Sequence, residues 1–106
     1  MAELDPSTEL TIETAVEDGV AVVSIDGELD SGNVDTLTEA IAAIAANRRE
    51  RLVFDLARLR FMDSAGIAVL INAAREIATV ELRNPSPIVR RVLEATGLMS
   101  VFEVLP

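Results

Sequence analysis

The residues in this chain with the clearest chemical potential lie together in one short stretch, F-M-D-S-A-G-I-A-V-L, at positions 61–70. Asp63, Ser64, Ala65 and Gly66 sit between two apolar runs, at the point where a helix is predicted to begin. A helix start leaves backbone N–H groups without intrahelical partners, so an acid or hydroxyl there is first of all a cap. The same arrangement also displays a small hydroxyl beside a carboxylate, the form a modifying enzyme can use. Ala65 and Gly66 are too small to pack much, and Gly weakens a helix near its start. Small groups around an exposed hydroxyl let another protein come close. A second set, Asp26, Glu28 and Asp30, alternates after a strand. A calcium loop needs more oxygen ligands and a defined turn, so this set reads as a solvated loop and helix cap, with no metal.

What the chain lacks narrows the chemistry further. It has no His and no Cys, and all nine of its basic residues are Arg. Disulfides, thiol catalysis, thiolate zinc and the commonest general base are therefore excluded together. A hydroxyl nucleophile would have no Lys or His to activate it. Five glycines are too few, and wrongly spaced, for a phosphate-cradling loop or a dinucleotide fingerprint. No catalytic residue and no cofactor is expected, and the chain is not read as an enzyme. A net charge of −9 argues against nucleic acid or an anionic membrane as partner, and fits a partner with a basic dock. The Arg-only, Ala-rich usage is read as genome composition. M-A-E-L-D-P-S-T-E-L at the start is acidic and lacks an apolar core, so no signal peptide is expected. No apolar stretch is long enough to span a bilayer, which predicts a soluble, cytoplasmic protein.

These candidate residues need elements to hold them. At 106 residues the chain is long enough for one domain, and with only three aromatic residues, all Phe, its core must be aliphatic. Residues 1–7 read as a loose polar tail and 8–106 as the domain. Leu10, Ile12, Thr14 and Val16 alternate with more polar neighbours, predicting a half-buried strand. Glu17, Asp18 and Gly19 turn the chain into Val20–Ile25, a strand with apolar residues on both faces that should lie inside the sheet. Val34, Leu37, Ile41 and Ile44 predict a helix over 32–46, capped by Asp30 or Ser31 and ended by Asn47. L-V-F-D-L, 52–56, is a short buried strand. The second helix is predicted from Ser64 to Ala78, with Ile67, Leu70, Ile71, Ala74 and Ala78 facing inward. Val80 and Leu82 mark the next strand. N-P-S-P-I-V-R-R-V-L-E-A-T-G is a helix cassette with Ser86 as N-cap, Pro87 in the first turn, Val89, Val92 and Leu93 buried, and Gly97 at a left-handed C-terminal cap. V-F-E-V-L, 101–105, closes the chain as a strand. The order β–β–α–β–α–β–α–β predicts an α/β domain whose mixed, mostly parallel sheet begins with an antiparallel hairpin and is covered by about three helices.

The stretch F-M-D-S-A-G-I-A-V-L resembles the signature of the STAS domain of bacterial anti-sigma factor antagonists, in which an aspartate precedes a phosphorylatable serine at a helix start. V-V-S-I-D-G-E-L-D-S-G-N-V-D-T-L, R-L-V-F-D-L-A-R-L-R-F-M-D-S-A-G and R-N-P-S-P-I-V-R-R-V-L-E-A-T-G-L are similar to further segments of that family, in the expected order over nearly the whole chain. The resemblance implies a single STAS-like domain and a partner switch. The unphosphorylated antagonist binds an anti-sigma factor that is also a serine kinase, and so frees a sigma factor. Phosphorylation of Ser64 then breaks the complex, and a serine phosphatase resets it. Many relatives carry a second Ser where this chain has Ala65, so only Ser64 remains in the motif. Relatives also have a longer, glycine-containing stretch before the fourth strand and a further helix after the last one. Its absence from this sequence is expected to leave part of the sheet or a helix flank uncovered.

Loops that follow parallel strands open at one end of a sheet. Asp26, Glu28, Asp30 and Ser31 should therefore neighbour Asp63, Ser64, Ala65 and Gly66 as one docking face, with self-association no stronger than a weak homodimer. Two other readings compete. One is a STAS adaptor subunit of a transport or stress-signalling assembly, which needs no phosphorylation. The other is a small nucleotide-binding domain, which would have to work without a phosphate loop.

Overall fold

A computed structural model of the protein describes residues 10–105. Its elements are β1 (Thr11–Glu17), β2 (Val20–Leu29), α1 (Val34–Ala46), β3 (Arg51–Met62), α2 (Ser64–Glu76), β4 (Thr79–Arg83), α3 (Pro87–Ala95), a 3₁₀ turn (Leu98–Ser100) and β5 (Glu103–Leu105). The order is the one expected from the sequence. The tail expected over residues 1–7 lies outside the described residues. β1 and β2 form an antiparallel hairpin closed by Asp18 and Gly19, both at positive φ, as a type I′ turn requires. The other neighbours pair in parallel, and the strands lie in the order β1-β2-β3-β4-β5.

That order decides where the helices go. Each crossover moves one strand further in the same direction, so right-handed connections put every helix on the same face of the sheet. One hydrophobic cluster confirms it, joining Val23 and Ile25 of β2, Phe54 and Leu56 of β3, and Leu82 of β4 to Leu37 and Ile41 of α1, Leu70 and Ala73 of α2, and Val89 and Leu93 of α3. β2 therefore meets different cover on its two apolar faces. β2 is interior to the sheet, but among the described residues no helix lies over its second face.

Charged side chains roof that second face instead. Val22 and Val53 are buried there yet stand apart from the main cluster. Arg83 on β4 places one guanidinium nitrogen 3.4 Å from Asp55 of β3 and another 3.9 Å from Glu17 of β1. β4 and β1 are three strand spacings apart, about 14 Å, so the Arg83 and Glu17 side chains must both lean across the sheet to meet. Arg51 pairs with Glu81, whose side chain is 2% exposed and whose second oxygen, Oε2, has no hydrogen-bond partner.

Several boundaries differ from those predicted. β2 runs on to Leu29 and β3 to Met62, so the D-G-E-L and A-R-L-R-F-M stretches, predicted as loops, are strand. Register shifts between Ser24 and Asp26 and between Gly27 and Glu28 each place an extra residue in β3 and break its alternation, whereas β2 keeps alternating to Leu29 with Gly27 at a buried position that no side chain marks. Gly27 takes φ 115° at this irregularity, a conformation few other residues adopt. α1 begins at Val34 with Asn33 at its cap position, not at residue 32 capped by Asp30 or Ser31. α2 stops at Glu76, and Ala78 is exposed. β5 starts at Glu103, because Leu98–Ser100 form a 3₁₀ turn behind the left-handed Gly97.

Candidate functional site

The site is built where β2 and β3 end. Leu29 and Met62 are paired in register, and the Asp63 N–H donates to the Leu29 carbonyl at 3.2 Å. Asp63 then caps α2. Its Oδ1 accepts the N–H groups of Ala65 at 2.9 Å and Gly66 at 3.2 Å, satisfying two donors at the helix start. Its Oδ2 reaches across to accept the Ser31 N–H at 3.3 Å. One carboxylate thus fixes both a helix start and the neighbouring turn.

That turn is tied down from inside as well. The Asp30 carboxylate accepts from the Gly32 N–H at 2.9 Å, and the Asp30 N–H donates to Asn33 Oδ1 at 2.9 Å. Asn33 Nδ2 donates to the Glu28 carbonyl at 2.8 Å. Sequence reasoning missed Asn33, which falls inside the helix expected over 32–46. Its side chain makes no cap bond and holds the turn closed instead.

Ser64 occupies the first position of α2 and is exposed. Among the described residues no hydrogen bond engages its hydroxyl. With Asp63 as the cap, Ser64 is not needed for that task. Gly66 differs from the expectation of an open surface. It is buried, and a Cβ at this position would stand 2.7 Å from Met62 Cγ and 2.9 Å from Leu29 Cδ2. Its smallness lets α2 close onto the ends of β2 and β3.

The structure thus brings Asp30, Ser31, Asp63, Ser64 and Ala65 together at one end of the sheet, and Glu28 stands beside them at the penultimate position of β2. Asp26 is placed differently. Its carboxylate pairs with Arg60 at 3.5 Å and Arg58 at 3.9 Å, on the face without helices. It lines a cleft there of about 290 Å³ together with Glu13, Asp55 and Arg58. Three carboxylates make that cleft a poor seat for a nucleotide phosphate. Among the described residues no cluster could hold a metal ion, and no helix is long and apolar enough to cross a membrane.

Comparison with known proteins adds an independent line. Residues 11–106 match the family model described as the STAS domain. The chain is 37% identical over 68 residues to the anti-sigma-F factor antagonist RsfB of Mycobacterium tuberculosis, a match covering 64% of this chain and 56% of RsfB. The crystal structure of an anti-sigma factor antagonist from Mycobacterium paratuberculosis superposes with a TM-score of 0.88 at 30% identity, over 96% of this chain and 89% of that one. The anti-sigma factor antagonist SpoIIAA in its unphosphorylated form gives a TM-score of 0.76 at 27% identity, over 92% and 89% of the two chains. The phosphorylated form of the Bacillus protein SpoIIAA gives 0.69 at 26%, over 92% of each.

Proposed function

This chain belongs to the STAS domain family, and we propose that it is an anti-sigma factor antagonist switched by phosphorylation of Ser64. The observation that carries the reading is the Ser64 hydroxyl, exposed and unbonded at a helix start that Asp63 already caps. Similarity to SpoIIAA, a structure of which exists in the unphosphorylated and in the phosphorylated form, supports a modifiable form of this fold.

In this reading the unmodified domain binds an anti-sigma factor with serine kinase activity, and a sigma factor is set free. The chain is a binding protein and the kinase supplies the chemistry. The Ser64 oxygen forms a bond to the γ-phosphorus of ATP as the bond to the β-phosphate oxygen breaks, and ADP leaves. The hydroxyl proton passes to a base of the kinase, since this chain has no His or Lys and Asp63 faces its cap partners. A serine phosphatase reverses the modification with water. The switch works in the cytoplasm and needs no cofactor or nucleic acid, and self-association is at most a weak homodimer.

A phosphate brings nearly two negative charges to a surface that already holds Glu28, Asp30 and Asp63. The helix N-terminus tolerates an anion, so the phosphate acts on the contact more than on the fold. The test is incubation with the cognate kinase and ATP, followed by intact mass, peptide mapping and affinity of the two forms. One phosphate on Ser64 and weaker kinase binding by the modified form are expected. A chain that is never modified and copurifies with membrane components would instead be a transport or stress-signalling adaptor.

A further inference from the structure

Of the three phenylalanines, Phe54 and Phe102 are buried, whereas Phe61 is 47% exposed. Phe61 pairs in register with Glu28, and both point away from the core, since the next pair, Leu29 and Met62, is buried. They lie on the sheet face without helices, at the end next to the α2 start. Most other acids described on this face are compensated, Asp26 by Arg58 and Arg60, Asp55 and Glu17 by Arg83, and Glu81 by Arg51, the exception being Glu13 on the edge strand β1. Among the described residues no hydrogen bond or ion pair engages the Glu28 carboxylate. An aromatic ring and an uncompensated acid therefore stand side by side, within a few residues of Ser64.

We propose that the docking surface turns the corner from the Ser64 helix start onto the helix-free face, with Phe61 as its apolar anchor and Glu28 as its charged flank. This rests on the antagonist reading and names a further part of the same partner's footprint. The occupant is the anti-sigma factor, through an apolar pocket edged by Arg or Lys. A second copy of this chain fits poorly. It carries a net charge of −9, and a symmetric contact at this corner would set Glu28 against more acid. A ring buried beside a charge pair, near the centre of a contact, is where binding energy concentrates.

The experiment titrates the unphosphorylated full chain with the anti-sigma factor kinase purified from the same organism. Phe61→Ala is expected to weaken binding about tenfold or more, and Phe61→Leu much less. Val16→Ala is the control: Val16 is 57% exposed at the opposite end of the sheet, and its loss should change affinity less than twofold. Amide exchange of the wild-type complex guards against a misfolded variant, with slowing at 58–62 expected alongside slowing at 63–66. Wild-type-like binding by a folded Phe61→Ala, or a footprint that leaves 58–62 untouched, overturns the inference while the antagonist reading stands. Wild-type chain that does not bind the kinase overturns both. A concentration-dependent dimer abolished by Phe61→Ala, with kinase affinity unchanged, assigns the corner to self-association and also overturns it.

Discussion

Asp63 carries two structural duties with two oxygens, and the duties can be separated. Asp63→Ala removes both and is expected to cost about 1–2 kcal/mol, measured by urea unfolding. Asp63→Asn keeps an oxygen for the cap but turns an N–H₂ toward the Ser31 N–H, so stability should fall little while amide exchange at Ser31 speeds up and kinase affinity drops. Gly66→Ala sets a helix-propensity gain of up to about 1 kcal/mol against overpacking onto Met62 and Leu29, which typically costs about 1–3 kcal/mol. Overpacking should win, and the urea midpoint should fall. Ser64→Ala should bind the kinase and stay bound, and substantial phosphate on that variant would refute Ser64 as the acceptor. The cap role of Asp63 and the helix position of Ser64 were legible in the sequence, because both are local. The burial of Gly66 and the turn-holding role of Asn33 were not, because each depends on chain that only tertiary folding brings near.

Among the elements, α1 and α3 were readable from spacing alone: Leu37 and Ile41 of one, and Val89 and Leu93 of the other, are buried as predicted. α2 was readable as a helix but not in its rotation. Its sequence, S-A-G-I-A-V-L-I-N-A-A-R-E, is apolar on nearly every side, so the set Ile67, Leu70, Ile71, Ala74 and Ala78 fits a 3.6 period as well as the observed Gly66, Val69, Leu70 and Ala73. Only the sheet beneath chooses between them. The two sets share Leu70. Leu70→Ala should therefore cost about 2–5 kcal/mol, whereas Ala78→Ser should stay within about 0.5 kcal/mol of wild type. The far half of β3 escaped the period-2 pattern because extra residues at its two register shifts move later side chains to the other face, and that of β2 because Gly27 leaves a buried position without an apolar side chain.

At the scale of the molecule, the sheet has one face under helices and one under a layer of arginines and acids. Arg51→Ala would leave the buried Glu81 carboxylate without its cation. Because Arg51 is half exposed, the loss should fall short of the roughly 3–5 kcal/mol of a fully buried pair. Glu81→Leu should be tolerated better than Arg51→Ala, since it removes the charge instead of stranding it, and thermal melts of the two variants decide. The main core lies on the helix side, whereas Ser64 sits at the sheet's end. Phosphorylation is therefore expected to move backbone amide signals near 28–31 and 62–67 and to leave those of α3 and β5 in place. Shifts spread through α3 and β5 would mean that the switch is conformational. The parallel order of elements could be read from the sequence; the one-sided placement of the helices follows from the strand order, which the sequence does not encode in any single stretch.

The same strand order bears on how the molecule comes into being. Each strand pairs with the one made just before it, so no strand must be threaded between two already in place. Loop closures stay short, contact order stays low for a mostly parallel sheet, and assembly can follow synthesis from the N-terminal end. By the time α2 has left the ribosome, β2, β3 and the turn held by Asp63 are all available, and the Ser64 corner can form while β4, α3 and β5 are still being made.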